Sequence, residues 1–136
     1  MASASAFIDI PAPADQVWQL IGGFNSLPDW LPLIPKSELS EGGRVRSLQT
    51  VDGAVIIERL QGFDNAGKTY SYSIVQAPFP ATEYLATIKV ESQGEGARVT
   101  WSGRFEPVGV SDEEVVALFA GIYQGGLQAL RANYPA

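Results

Sequence analysis

The feature that most constrains this chain is a long amphipathic helix predicted near its C-terminal end. Ser111 and Glu114 have the spacing of a capping box, and Asp112 and Glu113 add negative charge at the positive end of the helix dipole. Apolar residues then recur every three or four positions as one stripe, at Val116, Phe119, Tyr123, Leu127, Leu130 and Tyr134. The opposite face is polar, at Gln124, Gln128 and Arg131. A helix of about six turns with one apolar face needs an equally long apolar surface to cover it.

The rest of the chain supplies that surface as strands. A first strand is predicted at residues 4–10, two short helices over 13–21 and 25–31, and six strand-like runs broken by turns over 36–107. Short turns favour antiparallel pairing of sequential strands as a meander. We therefore predict an α+β fold in which a seven-stranded curved antiparallel sheet wraps around the terminal helix. A length of 136 residues with 46% hydrophobic residues suits a single domain over 1–136.

Charge and composition exclude several classes of function. The net charge is −6 and no stretch gathers Lys and Arg, so nucleic acid is not an expected partner. The chain has no Cys and no His, which removes thiolate chemistry and the commonest metal ligand. We expect no metal, no cofactor and no membrane-spanning segment, and a monomer or homodimer. Residues 1–10 lack the pattern of a signal peptide, so a cytoplasmic location is expected.

The turn at residues 51–53 predicts the pairing of two charged residues. A three-residue loop with Gly53 in the left-handed conformation places Arg46 opposite Glu58. A two-residue turn would instead oppose Arg46 to Arg59, which is electrostatically unfavourable. Apolar neighbours on the same face favour a pair that points inward, and Tyr72 is expected beside Glu58. The pair is either an exposed cross-strand ion pair or a polar anchor inside a cavity.

The chain resembles the START-like superfamily, also called SRPBCC, which includes birch-pollen-allergen-like proteins and the polyketide cyclase/dehydrase-like family. The resemblance covers the order of elements and local matches at residues 12–18, Trp30 with Pro32, Arg46, Asp52-Gly53, residues 58–60, Tyr72, Pro78 with Pro80, Tyr84, and residues 101–105. It implies a helix-grip fold with a hydrophobic cavity between sheet and helix. Many relatives carry His after the Trp of the second helix, whereas Leu31 follows Trp30 here, so no role of that His is transferred.

The candidate ligand-binding residues combine an aromatic set, the charged pair and one helix glycine: Phe24, Trp30, Arg46, Glu58, Tyr72, Phe79, Tyr84, Trp101, Phe105, Phe119, Tyr123 and Gly126. The aromatic residues either line a cavity or pack as core. A glycine in mid-helix is unfavourable, so we expect Gly126 to leave space for a ligand, and Gly121 and Gly125 to allow close packing. The Pro-rich loop at 77–81 is either a gate over the cavity or an ordinary stiff turn.

Three functional hypotheses follow. The first is binding of a hydrophobic small molecule of lipid, polyketide or aromatic type, with a polar or anionic end, in the cavity. The second is a cyclase, dehydratase or isomerase in which Glu58 is the general acid/base and Tyr72 or Arg46 stabilises an enolate-like oxygen. The third is a protein-interaction module. Burial would raise the pKa of Glu58 and Arg46 would lower it, so the sequence leaves enzymatic activity open.

Overall fold

The computed structural model describes residues 2–134, and its elements follow the predicted order. The strands and helices are β1 (Ala2–Ile10), α1 (Ala14–Ile21), α2 (Leu27–Trp30), β2 (Lys36–Ser40), β3 (Val45–Gln49), β4 (Val55–Asp64), β5 (Thr69–Gln76), β6 (Ala81–Gln93), β7 (Gly96–Pro107) and α3 (Asp112–Arg131). A short 3₁₀ turn at Glu41–Gly43 joins β2 to β3. The predicted fold class is confirmed. The single domain over 1–136 stays a prediction, because it includes Met1, Pro135 and Ala136, which lie outside the described residues.

The seven strands form one antiparallel sheet in the order β1-β7-β6-β5-β4-β3-β2. Strands β2 to β7 are a meander, as predicted, and β1 pairs with β7 at the far edge. The connection from β1 to β2 must therefore run from one edge of the sheet to the other. The helices α1 and α2 make this crossing, with α1 against β6 and β7 and α2 against β2.

The terminal helix packs mainly against β1 and β7. Its first turn is capped as predicted, since the backbone N–H of Glu114 donates to the Ser111 hydroxyl at 3.2 Å. Two details of the predicted stripe are wrong. Val115 is fully buried whereas Val116 is only half-buried, and the helix ends at Arg131, so Tyr134 is buried in the turn that follows it.

The predicted register of the β3–β4 hairpin is confirmed. Thr50 N–H donates to the Ala54 carbonyl at 2.9 Å, and Gly53 closes the loop with a φ of +88°. Arg46 consequently pairs with Glu58. Since alternate residues of a strand share a face, Leu48 and Ile56, also paired, point to the concave side with them.

The β4–β5 hairpin contains a bulge, which determines where Tyr72 lies relative to Glu58, the residue beside which it was expected. Leu60 pairs with Tyr72 but Gly62 already pairs with Ser71, so Gln61 is an extra residue in β4. The bulge places Tyr72 opposite Leu60 and puts Ile74 opposite Glu58. Tyr72 still shares the concave face with Glu58, because the extra residue restores the match between the inward positions of the two strands.

Candidate functional site

A cavity of about 210 Å³ lies between the concave face of the sheet and α3. Its walls come from α2 and the segment after it, from β3 to β5, and from the inner face of α3. Most of the lining is aliphatic or aromatic, and the charged residues on it are Arg46, Glu58 and Asp52. Apolar walls with few polar groups are typical of small-molecule sites.

The structure brings most of the predicted site residues to this cavity. Those on its wall are Arg46, Glu58, Tyr72, Phe79, Tyr84, Trp101, Phe119 and Tyr123. Phe24, Trp30 and Phe105 are buried behind the wall instead, where they support lining residues. Trp30 lies edge-on to Trp101 at 6.0 Å, and Phe105 packs 4.7 Å from Phe119 between ring centroids.

The helix glycines behave in the opposite way to the prediction. A Cβ atom at Gly126 would lie 2.7 Å from Cζ3 of Trp101 and 3.0 Å from Cδ1 of Leu31, so this position is a close contact and leaves no space for a ligand. At Gly121 and Gly125 an added Cβ would meet no heavy atom within 4 Å. The expectations for Gly126 and for the other two glycines are therefore wrong. Helical spacing identified the buried face of α3, but it did not show that the Trp101 ring occupies the space beside Gly126.

The charged pair is the principal polar feature of the cavity. Arg46 is 1% exposed and Glu58 is 6% exposed. Nε of Arg46 donates to Oε1 of Glu58 at 2.8 Å, and Nη2 lies 2.8 Å from the same oxygen. The pair is thus a buried ion pair and not the exposed alternative.

The guanidinium of Arg46 is held from several sides. Its Nη1 donates to the Phe24 carbonyl at 2.9 Å and lies 3.4 Å from the Tyr70 hydroxyl. The Phe24 ring centroid is 4.2 Å from Cζ of Arg46, and that of Tyr72 is 4.8 Å away. Phe24 therefore contacts the cavity wall through Arg46 and does not line the cavity itself.

Burial and mutual attraction set the charge state of this pair. Burial raises the pKa of the Glu58 carboxyl, and the Arg46 guanidinium offsets part of that rise. For Arg46, burial opposes the charge, but Coulombic interactions with Tyr70, Glu58 and Tyr72 outweigh it and raise the pKa. Arg46 therefore stays protonated.

A second polar cluster lies where β5, β6 and β7 face α3. Nε1 of Trp101 donates to the Tyr72 hydroxyl at 3.0 Å, and the hydroxyls of Tyr84 and Tyr123 form a short hydrogen bond. Burial raises the pKa of Tyr72, of Tyr84 and of Tyr123. These hydroxyls stay protonated at neutral pH and provide hydrogen-bonding groups, not charges, to the cavity.

Sequence reasoning did not select several residues of the wall. Leu48 and Ile56, two of the apolar neighbours that favoured an inward-pointing pair, were not assigned to a site, and Ile74 lies on the wall because it shares the concave face with Tyr72. Leu31 was noted only as a replacement for His, yet it lines the cavity and touches the position of Gly126. Alternation along β3 and β4 was the signal for the first two. No sequence signal located the bulge.

The β3–β4 loop and the loop after β5 contribute the lining residues Thr50, Asp52, Pro78 and Phe79. Asp52 and Pro78 are exposed, so the cavity meets solvent here, at its mouth. Phe79 packs edge-on against Phe119 with 5.2 Å between ring centroids. The choice between a gate and a stiff turn for this loop stays a prediction.

Within residues 2–134, no three acidic side chains are grouped so that they would hold a metal ion. None of the helices described there combines the length and the apolar character that a membrane crossing requires.

Comparisons with known proteins agree with this fold. A family model described as polyketide cyclase / dehydrase and lipid transport matches residues 1–134. The solved structure of protein XoxI from Bacillus cereus is 55% identical, with a TM-score of 0.97, over 98% of this chain and 96% of that one. A protein from Bacillus thuringiensis is 53% identical, with a TM-score of 0.95, over 98% of each chain. A START superfamily protein from Mycobacterium smegmatis shares the fold at 16% identity, with a TM-score of 0.80 over 98% of this chain and 97% of that one. No curated protein matches the sequence.

Proposed function

This chain belongs to the polyketide cyclase / dehydrase and lipid transport family, and on that premise we propose that it binds a small hydrophobic molecule in the cavity beneath α3. The observation that carries the proposal is the cavity of about 210 Å³ itself. This mostly apolar cavity, partly open to solvent, is larger than the voids that ordinary core packing leaves, few of which exceed a water molecule. A ligand that fills the void recovers the lost contacts and removes its own apolar surface from water.

The size of the cavity limits the ligand. An engineered apolar cavity of about 150 Å³ takes benzene, so about 210 Å³ suits one substituted ring or two fused rings. A long-chain lipid does not fit this volume. Among the lipid, polyketide and aromatic classes predicted from the sequence, the aromatic class is therefore favoured.

Naphthalene is a suitable probe because it has two fused rings and no polar group. We expect it to bind to the wild-type chain in a titration followed by nuclear magnetic resonance, with shifts confined to the cavity lining. Ile56→Phe should abolish binding without unfolding the protein, since the void accepts the added volume. Val55→Phe is the matched control, because Val55 neighbours Ile56 but is 45% exposed. Equal binding by both variants would place the probe elsewhere and contradict the proposal.

A second candidate function is proton transfer by Glu58. The observation that favours it is a carboxyl on the cavity wall whose pKa is raised by burial. A two-ring ketone such as 2-tetralone then tests abstraction of a proton next to a carbonyl. If Glu58 is a base, exchange of that proton in D₂O is faster with the wild type than with Glu58→Gln. Equal exchange rates would leave ligand binding as the function.

A further inference from the structure

The hydrogen bonds of the ion pair define what it offers to a ligand. Both short contacts from Arg46 fall on Oε1 of Glu58. Within residues 2–134, no side chain or backbone group donates to Oε2 of Glu58. Because Glu58 lies on the cavity wall, Oε2 is the oxygen of the pair that is available to a ligand. A carboxylate oxygen accepts hydrogen bonds and donates none.

The positive member of the pair is already engaged. Nε and Nη2 of Arg46 contact Glu58, Nη1 contacts the Phe24 carbonyl and the Tyr70 hydroxyl, and aromatic rings lie near Cζ. Each nitrogen of the Arg46 guanidinium thus already contacts a protein group. An anionic ligand would have to break these contacts and approach the Glu58 carboxylate, which repels it.

The charge balance of the whole cavity wall also disfavours an anionic ligand. Its charged residues are Arg46, Glu58 and Asp52, two carboxylates against one guanidinium. Hydrogen bonds from Thr50 and from the Ala54 backbone keep the pKa of Asp52 below its usual value, so Asp52 is ionised near the mouth. An anion therefore meets negative charge at the entrance and again at the inner wall. A cation would lose its hydration in a lining that is mostly apolar.

We infer that this cavity selects neutral molecules of one or two rings that carry a hydroxyl or similar hydrogen-bond donor, with the donor on Oε2 of Glu58. The inference rests on the proposed function, because it concerns the ligand of the same cavity. It also narrows the expected polar or anionic end of the ligand to a neutral polar one, because the Arg46 guanidinium on the described wall already bonds to protein groups. A hydrogen bond to a charged acceptor is among the stronger ones.

Three two-ring probes separate the possibilities in the wild-type protein: naphthalene, 2-naphthol and 2-naphthoate, each titrated at pH 7 by calorimetry. We expect 2-naphthol to bind about tenfold more tightly than either of the others, which is what one charge-assisted hydrogen bond supplies. A 2-naphthoate affinity equal to that of 2-naphthol would overturn the inference, because it would show that Arg46 is accessible. Equal affinities of naphthalene and 2-naphthol would overturn it too, while leaving the proposed function intact. If none of the three binds, the proposed function fails, and the inference fails with it.

Variants of Arg46 and Glu58 then test whether this ion pair causes the preference for 2-naphthol. In Glu58→Gln the charge of Arg46 loses its partner, so 2-naphthoate should gain at least tenfold relative to 2-naphthol. Glu38→Gln is the matched control, since Glu38 is an exposed carboxylate away from the cavity and its loss should change no ratio. Should Glu58→Gln not fold, the double variant Arg46→Met with Glu58→Leu removes both charges. There 2-naphthol should bind no more tightly than naphthalene, and a retained advantage would refute the role of Oε2.

Discussion

The two halves of the sheet meet the terminal helix in different ways. Where β7 faces α3, small residues let large ones approach. Gly126 accommodates the Trp101 ring, and Gly103 makes room for the hydroxyl of Tyr123. Where β3 to β5 face the same helix, the wall carries branched aliphatic side chains and a buried ion pair, and a cavity remains. The helix α3 thus packs closely on the half of the sheet formed by β1 and β7, the closed half, and leaves a cavity over β3 to β5, the open half. The void therefore reflects where the helix lies across the sheet.

Removal of the helix breaks both halves at once. Truncation after Val110 exposes the concave face of the sheet, and we expect aggregated or molten protein, the largest effect proposed here. Near-ultraviolet circular dichroism and binding of a hydrophobic dye measure it. A truncated chain that stays soluble and unfolds cooperatively would show that the sheet is stable without the helix and would contradict the helix-grip interpretation.

The open half is tested by its ion pair. Glu58→Ala leaves the Arg46 guanidinium buried without its partner, which should lower the free energy of unfolding by about 3 to 5 kcal/mol. Arg46→Met combined with Glu58→Leu should recover most of that loss, because it removes both charges. The midpoint of urea denaturation, at an unchanged slope, reports both values. A loss below about 1 kcal/mol for Glu58→Ala would mean that the pair is exposed in solution.

The closed half is tested by its glycine. Gly126→Leu would force a side chain into the Trp101 ring and Leu31, and we expect a loss of about 3 kcal/mol, near the upper end for overpacking. Gly121→Ala is the control on the same helix, because its Cβ meets open space. It should stabilise the protein by about 1 kcal/mol through helix propensity. If both substitutions change the free energy of unfolding in the same direction, the proposed difference between the two glycine positions is contradicted.

The smallest expected effect is a loss of stability at alkaline pH. It is shared among three tyrosines that lie where the two halves meet. Burial raises the pKa of Tyr72, Tyr84 and Tyr123 above the ordinary value of 10.0. In the unfolded chain these groups lose their protons near pH 10, whereas in the folded chain they keep them. Their contribution to stability is therefore complete below pH 10 and is lost as the pH rises further. Tyrosinate absorbance should appear in step with unfolding, and earlier ionisation of all tyrosines would contradict their burial.

The sequence predicts the parts of this molecule that depend on local pattern. The loop with Gly53 determined the register that joins Arg46 to Glu58, and the apolar spacing located α3. The glycine assignments were wrong because helical periodicity gives a face and not the length of the side chain opposite it, here that of Trp101. The pairing of Tyr72 with Leu60 was missed because a bulge at Gln61 depends on the twist of two strands together.

The pairing of β1 with β7 has a consequence for how the chain reaches this structure. Asp9 and Arg98 form an ion pair across these strands although 89 positions separate them in the sequence. During synthesis β1 emerges first and has no partner until β7 has emerged, and α3 follows only afterwards. The half of the sheet that packs most closely against the helix is therefore the last to assemble. Such distant pairing slows folding, because the entropy of closing a long loop is lost before the contact forms.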